Sequence, residues 1–109
     1  MKDFFDVWFL ARTYSFEGAV LSAAIAATFG RRGTALPAEL PVALTSAFHQ
    51  DAAKKAQWKA FVTKGRLTEV TLESVGESIH GFAWPPLDAA RAGRLLNASW
   101  APEGPWRNR

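Results

Sequence analysis

The chain begins with a helical pattern rich in aromatic residues, which predicts a buried helix over residues 2–12. Apolar side chains recur at three- and four-residue steps along one helix face, formed by Phe4, Val7, Trp8 and Ala11. Phe5 and Phe9 widen this face until most of the circumference is apolar, which is typical of a helix buried on most sides. Met1 alone precedes the pattern, and it offers no polar side chain as an N-cap. We therefore expect the chain to be the later part of a larger protein.

Capping residues and prolines mark the ends of the next helices. Ser15 is the expected N-cap of a second helix through residue 29, and Gly30 and Gly33 are its stop signals. Residues 34–41 contain two prolines and predict an extended connector. A short helix over residues 42–49 follows.

Two longer helices are expected in the second half of the chain. Asp51 is the N-cap of a helix through residue 64, whose inward face holds Trp58, Phe61 and Val62. Either Thr68 or Thr71 begins the next helix. Pro85 and Pro86 end it because proline has no N–H to donate, although Pro86 would suit the first turn of a last short helix through residue 92.

These patterns predict an all-α fold, an irregular bundle of about five helices followed by a tail rich in proline and tryptophan. We assign residues 1–98 to one helical domain and residues 99–109 to the tail, which Trp100 and Trp106 anchor to the body. No alternating strand pattern is visible in the sequence. With 109 residues, of which 49% are hydrophobic, the chain is long enough for a single modest core.

Composition excludes several kinds of protein. The absence of cysteine excludes disulfides, iron–sulfur clusters and thiolate zinc sites. His49 and His80 are far apart in sequence, so we expect no histidine metal site. No apolar run is long enough for a membrane helix, and the acids near Met1 do not suit a signal peptide. We expect a soluble cytoplasmic protein.

Basic residues exceed acidic ones, and the formal net charge is +3. They gather at Arg31 and Arg32 and along residues 54–66. Such clusters can contact the phosphates of a nucleic acid, but solvated helix faces carry the same charges. Charge alone leaves both interpretations open.

Common catalytic motifs are absent, and one group of polar residues remains for consideration. The chain has no glycine-rich phosphate loop and no nucleophile elbow. Lys2, Asp3 and Asp6 share one turn of the first helix, where two carboxylates beside a lysine could bind a divalent cation and a triphosphate. One turn offers few oxygen ligands, however, and acids also stabilise a helix N-terminus without any catalytic role.

Three segments together resemble a known family. Residues 2–12 look like the Lys-Asp-Phe-x-Asp-Leu-x-x-Leu motif found late in nucleotidyltransferase toxins of the AbiEii/AbiGii type. Residues 26–34 with Leu36 and Pro37, and residues 52–61, resemble the C-terminal helical region of the same family. The resemblance extends over essentially the whole chain.

This resemblance implies a Mg²⁺-dependent transfer of nucleotide from a nucleoside triphosphate to tRNA or another acceptor, in abortive infection and phage defence. It places Lys2 against phosphate and makes Asp3 a base or electrostatic partner, while Asp6 has a structural role. Family enzymes resemble polymerase-beta-like transferases and carry a Gly-Ser loop and an Asp-x-Asp metal pair, and this chain has neither. We therefore expect a truncated protein without its N-terminal catalytic domain, inactive alone and without a cofactor of its own.

The expected partners are the cognate antitoxin, tRNA and the missing catalytic domain. An alternative from another class is a non-enzymatic helical module that binds antitoxin or RNA through Arg31, Arg32 and the lysine-rich helix. A third is a product without any role, which an exposed apolar face would make prone to aggregation.

Overall fold

The computed structural model describes residues 1–67 and 69–108. Within these ranges the helices are α1 (Lys2–Thr13), α2 (Gly18–Arg32), α3 (Ser46–Gln50), α4 (Ala52–Gly65) and α5 (Leu72–Arg91), with a 3₁₀ helix at Val42–Leu44. Three short strands are β1 (Phe16–Glu17), β2 (Ala98–Trp100) and β3 (Trp106–Asn108). The fold is mostly helical, but the expectation of a purely all-α fold is wrong.

The strands form one antiparallel sheet in the order β1-β2-β3. Phe16 pairs with Trp100, and Trp100 pairs in turn with Trp106. Strands of two or three residues are too short to show an alternating pattern, and β1 and β2 lie at opposite ends of the sequence. Periodicity therefore could not reveal this sheet.

The predicted anchoring of the C-terminal segment is confirmed. The indole N–H of Trp100 donates to the carbonyl oxygen of Ala11 at 2.8 Å, and the backbone N–H of Glu103 donates to the same oxygen at 2.9 Å. Ala11 lies in the last turn of α1, where helix carbonyls have no helical partner. The segment after α5 thus completes the C-terminal end of α1.

Helix α5 continues through Pro85 and Pro86, so the expected break and the separate last helix are wrong. Proline at these positions removes the helical hydrogen bonds to the carbonyls of Gly81 and Phe82. Gly81 is exposed to water, and the Phe82 carbonyl accepts a hydrogen bond from the indole of Trp106 at 2.9 Å. Neither α5 nor any other helix in the described ranges is long and apolar enough to span a membrane.

Helix boundaries follow local capping signals in most cases. The side chains of Asp51 and Thr71 accept hydrogen bonds from the backbone N–H groups at the start of α4 and α5, which confirms both as N-caps. Thr68, the alternative start of α5, lies outside the described residues. Gly33 ends α2 with a φ of 63°, the left-handed conformation that glycine adopts at low cost.

The start of α2 differs from the expectation. Ser15 is not its N-cap, because Phe16 and Glu17 pair with β2 and the helix begins only at Gly18. A Cβ atom on Gly18 would lie 2.5 Å from the carbonyl oxygen of Leu96. The first residue of α2 therefore lies against the chain that leads into β2, where a side chain would not fit.

Helix α5 is the centre of the fold and contacts all the other helices. The main buried cluster consists of Trp8, Trp58, Val62, Leu72, Val75 and Ile79. Helix α1 is buried along one face only, and Phe9 and Leu10 are 49% and 43% exposed. The prediction that α1 is buried on most sides is wrong, because its packing partners leave these two side chains facing outward.

Candidate functional site

The first turn of α1 brings Lys2, Asp3 and Asp6 to the protein surface. Lys2 Nζ lies 2.6 Å from Asp6 Oδ2, in an ion pair between residues four apart on the helix. Both side chains remain in contact with water, since they are 78% and 47% exposed. The sequence predicted that the three residues share a face; the ion pair itself was not predicted, although four-residue spacing on a helix is its usual signal.

Electrostatics on this turn favour the charged form of Lys2. The hydrogen bond to Asp6 and the negative charge of Asp6 raise the pKa of Lys2 above its ordinary value of 10.5. The charge of Asp3 raises it further by a smaller amount. Lys2 is therefore a firmly protonated cation beside two carboxylates, and it can attract an anion but cannot serve as a base near neutral pH.

Asp3 is the free acid of the group. It is exposed, and no side chain in the described ranges forms a hydrogen bond or ion pair with it. The Asp6 carboxylate, in contrast, forms an ion pair with Lys2. Asp3 therefore has the carboxylate that is available to a partner or substrate.

The same helix is fixed from its opposite face by aromatic packing. The ring centroids of Phe4 and Phe48 are 5.3 Å apart, and those of Phe5 and Phe61 are 6.1 Å apart. These contacts attach the first turn to α3 and α4, and residues on the outer face have a rigid support. The first turn of α1 therefore packs through Phe4 and Phe5 and presents its polar side chains outward.

The residues of this turn do not form a magnesium site by themselves. No cluster of three or more histidine, aspartate or glutamate side chains able to hold a metal occurs in residues 1–67 and 69–108. Mg²⁺ requires several oxygen ligands in near-octahedral geometry. Asp3 offers one free carboxylate, so any metal at this surface needs further ligands from another source.

Arg31 and Arg32 lie in the last turn of α2 and are exposed. Arg31 donates a hydrogen bond to Thr28 Oγ1 at 3.3 Å. Neither arginine forms an ion pair with an acid in the described part of the chain, and no hydrogen bond joins them to the first turn of α1. They constitute a separate basic surface at a helix C-terminus, where positive charge is also favourable for the helix itself.

Two histidines that are distant in sequence share one cleft. His49 and His80 line a cavity of about 490 Å³ together with Glu77. His49 is buried, and its Nε2 lies 2.9 Å from the carbonyl oxygen of Ala43. This hydrogen bond gives His49 a structural role, and Asp51, two residues further along the chain, is the N-cap of α4.

A second cleft, which was not predicted from the sequence, lies between α4 and the start of α5. Its volume is about 560 Å³, and its α4 wall is the helix face that carries Lys55, Trp58, Lys59 and Val62. The three- and four-residue spacing of these residues was the available signal. The facing wall comes from residues 69–73, whose position only the tertiary structure shows.

Comparison with known proteins identifies one family. The family model described as Nucleotidyl transferase AbiEii toxin, Type IV TA system, matches residues 1–92. The matched range extends from α1 through α5 and includes the first turn of α1 and the two arginines of α2. Neither a curated protein nor a solved structure matches the chain.

Proposed function

Because the chain belongs to the AbiEii family of nucleotidyl transferase toxins of type IV toxin–antitoxin systems, we propose that it provides the helical part of a nucleotidyl transferase. The observation that supports this most is the exposed first turn of α1, where Lys2 and the free carboxylate of Asp3 lie side by side within the matched range. The family also suggests an antitoxin as a partner. Action on tRNA or a similar acceptor would take place in the cytoplasm, in defence against phage.

The three residues have different proposed roles. Asp3 faces the transferase site as an electrostatic partner or base, because its carboxylate has no competing contact in the described ranges. Lys2 contacts a phosphate, and Asp6 positions Lys2 through their ion pair. A phosphate at Lys2 would then compete with Asp6 for the same ammonium group.

We further propose that the 109 residues alone transfer no nucleotide. They contain no Gly-Ser pair and no Asp-x-Asp sequence, and the first turn of α1 supplies too few oxygens for Mg²⁺. The isolated chain accordingly needs no cofactor of its own. Mg²⁺ and a nucleoside triphosphate belong to a complete enzyme that has those motifs.

The test is a transfer assay with labelled nucleoside triphosphates, Mg²⁺ and total tRNA. The chain alone should label nothing, and a catalytic domain of the family that carries both motifs should restore transfer when it is joined to the chain. In the joined enzyme Asp3→Asn should greatly reduce transfer, whereas Glu39→Gln, an exposed acid elsewhere, should not. Full activity of the Asp3→Asn variant would contradict the proposed site.

A second candidate function is binding without catalysis, and the charge of α4 favours it. This helix carries four lysines and no acid, and none of the four forms an ion pair among the described residues. Together with Arg31 and Arg32, it offers cations to the phosphates of RNA. Alternatively, the same surfaces would receive the antitoxin.

Salt titration of tRNA binding tests this second function. Phosphate contacts release counterions, so the affinity should fall steeply as salt rises. Replacing Arg31 and Arg32 by glutamate should weaken binding and reduce the salt dependence. Binding that is insensitive to both changes would exclude the RNA-binding version.

A further inference from the structure

The outer face of α1, formed by Asp3, Asp6, Phe9 and Leu10, carries apolar side chains beside acidic ones. Leu10 lies four residues after Asp6 and seven after Asp3, so these three side chains lie on one side of the helix. Phe9 and Leu10 are 49% and 43% exposed, and Tyr14, directly after the helix, is 53% exposed. Large apolar side chains are thus exposed to water directly beside the acids of the candidate site.

The aromatic part of this face is held in place from within the protein. The rings of Phe5 and Phe9 stack at an interplanar angle of 18°, with their centroids 6.5 Å apart, and the Phe5 ring packs on Phe61 of α4. Leu10 belongs to neither of the buried clusters that the described residues form. The core therefore does not depend on Leu10, and a partner would meet a Phe9 ring that is already positioned.

The accessible surface is larger than is usual for a chain of this size. A folded monomer of 11.9 kDa exposes about 6,000 Å² on average, whereas this chain exposes 6977 Å². The surplus is similar to the surface of about 800 Å² that one partner buries in a specific complex. Among the described residues, Phe9 and Tyr14 are the most exposed aromatic side chains, and aromatic side chains are enriched in interfaces.

The chemistry of Asp3 indicates what covers this face. A magnesium ion at Asp3 needs further oxygen ligands, and the described part of the chain contains no cluster that could supply them. Another polypeptide that supplies them must reach the first turn of α1. An interface patch of about 800 Å² is roughly 30 Å across, whereas Asp3 and Leu10 are only about 10 Å apart along the helix axis. A domain that reaches Asp3 therefore also covers Phe9 and Leu10.

We propose that the outer face of α1 is the docking surface for the domain that carries the phosphate loop and the metal-binding carboxylates of the transferase. Phe9, Leu10 and Tyr14 pack against apolar side chains of that domain, and Asp3 lies at the edge of the interface, beside the nucleotide. This inference rests on the proposed function and adds to it the surface that joins the two parts.

Other occupants suit this face less well. RNA would meet two carboxylates, and the neighbouring Lys2 is already paired with Asp6. A second copy of the chain would cover the apolar side chains, but it would bring to Asp3 the same few oxygen ligands that the first copy has. A domain with its own carboxylates satisfies both the apolar and the acidic part of the face.

Binding measurements with two separate polypeptides test the docking surface. One is the full 109-residue chain, and the other is the transferase domain of an AbiEii-family protein that has both the Gly-Ser and the Asp-x-Asp motif. Isothermal titration calorimetry should show a complex. Leu10→Glu should weaken it about tenfold or more, because a charge replaces an apolar side chain at the interface. Val42→Glu introduces the same carboxylate at an exposed apolar residue outside α1 and should leave binding unchanged.

A transfer assay on the same variants separates this inference from the proposed function. Asp3→Asn should greatly reduce transfer but retain binding, whereas Leu10→Glu should recover transfer when the domain is in large excess. Leu10→Ser serves as a milder variant if glutamate disturbs the helix, and circular dichroism monitors the fold.

Three outcomes would overturn the docking surface: the absence of any complex, equal binding by Leu10→Glu, or a dimer of the chain alone that Leu10→Glu dissociates in sedimentation experiments. Full transfer by Asp3→Asn, together with weakened binding by Leu10→Glu, would instead contradict the proposed transferase site and support the docking surface.

Discussion

The indole N–H of Trp106 donates a hydrogen bond to the backbone carbonyl of Phe82 at 2.9 Å. In an uninterrupted helix the N–H four residues later would bond this carbonyl, but Pro86 occupies that position and has no N–H. The ring of Trp106 also stacks on that of Phe82, with centroids 6.0 Å apart. A residue of the last strand thus replaces the hydrogen bond that proline removes from the central helix.

The replacement predicts a coupling between Trp106 and Pro86. Trp106→Phe retains an aromatic ring but removes the N–H, and should lower the free energy of unfolding by about 1–3 kcal/mol, because a buried carbonyl loses its partner. Pro86→Ala supplies a helical N–H to the same carbonyl, so it should be less harmful in the Trp106→Phe background than in the natural chain. Urea denaturation of the four proteins gives the coupling free energy.

Trp84→Phe is the control for this cycle, since the Trp84 indole has no hydrogen bond among the described residues. It should show no coupling to Pro86→Ala through the Phe82 carbonyl. Strict additivity of Trp106→Phe and Pro86→Ala would contradict the proposed replacement.

Gly76 should be intolerant of any side chain. A Cβ atom there would lie 2.3 Å from ring atoms of His49, which is buried against α5. Gly76→Ala should destabilise the protein by about 1–3 kcal/mol through overpacking. Gly81→Ala in the same helix meets nothing within 4 Å and should stabilise it by up to about 1 kcal/mol. Thermal or urea unfolding measures both, and a Gly76→Ala protein as stable as the natural chain would exclude the close contact.

The Lys2–Asp6 pair should depend on pH in the alkaline range. The pKa of Lys2 is raised above its ordinary value of 10.5 in the folded protein. The contribution of the pair to stability is therefore fully present below pH 10.5 and disappears as the pH rises through the folded-state pKa of Lys2. Asp6→Asn should lower the pKa of Lys2 most, and Asp3→Asn should lower it less. NMR titration of the lysine side chain measures each variant. A larger effect of Asp3→Asn would reverse the assignment of partners.

Asp51 should act as a helix cap and not as a partner of His49. Its side chain accepts a hydrogen bond from the backbone N–H of Lys54 at 3.0 Å. Asp51→Ala should destabilise the protein by about 1 kcal/mol, whereas Asp51→Ser retains a capping oxygen and should remain close to the natural stability. Chemical denaturation distinguishes the two. Equal losses in both variants would indicate that the negative charge, and not the cap, is what the position requires.

Signals that act within one helix turn were sufficient to predict much of the fold and part of the candidate site. The caps at Asp51 and Thr71 and the left-handed Gly33 were predictable because each side chain or conformation acts within one helix turn. The same is true of the shared face of Lys2, Asp3 and Asp6, where even the missed ion pair had a local signature.

Other features depend on residues that are distant in sequence. The pairing of Phe16 with Trp100, the shared cleft of His49 and His80, and the facing walls of the α4–α5 cleft all arise only when the chain is folded. No spacing along a single helix or strand predicts them. The partially exposed face of α1 belongs to the same class, because burial depends on what packs against a helix as well as on its own pattern.

By itself, the sequence determined where most helices form and which residues share a face, because helical periodicity and capping act over three or four residues. Only the tertiary structure decided that α5 runs through two prolines, since the donor that satisfies the Phe82 carbonyl comes from Trp106 in the last strand. Backbone hydrogen bonds must be satisfied, but the partner need not be near in sequence.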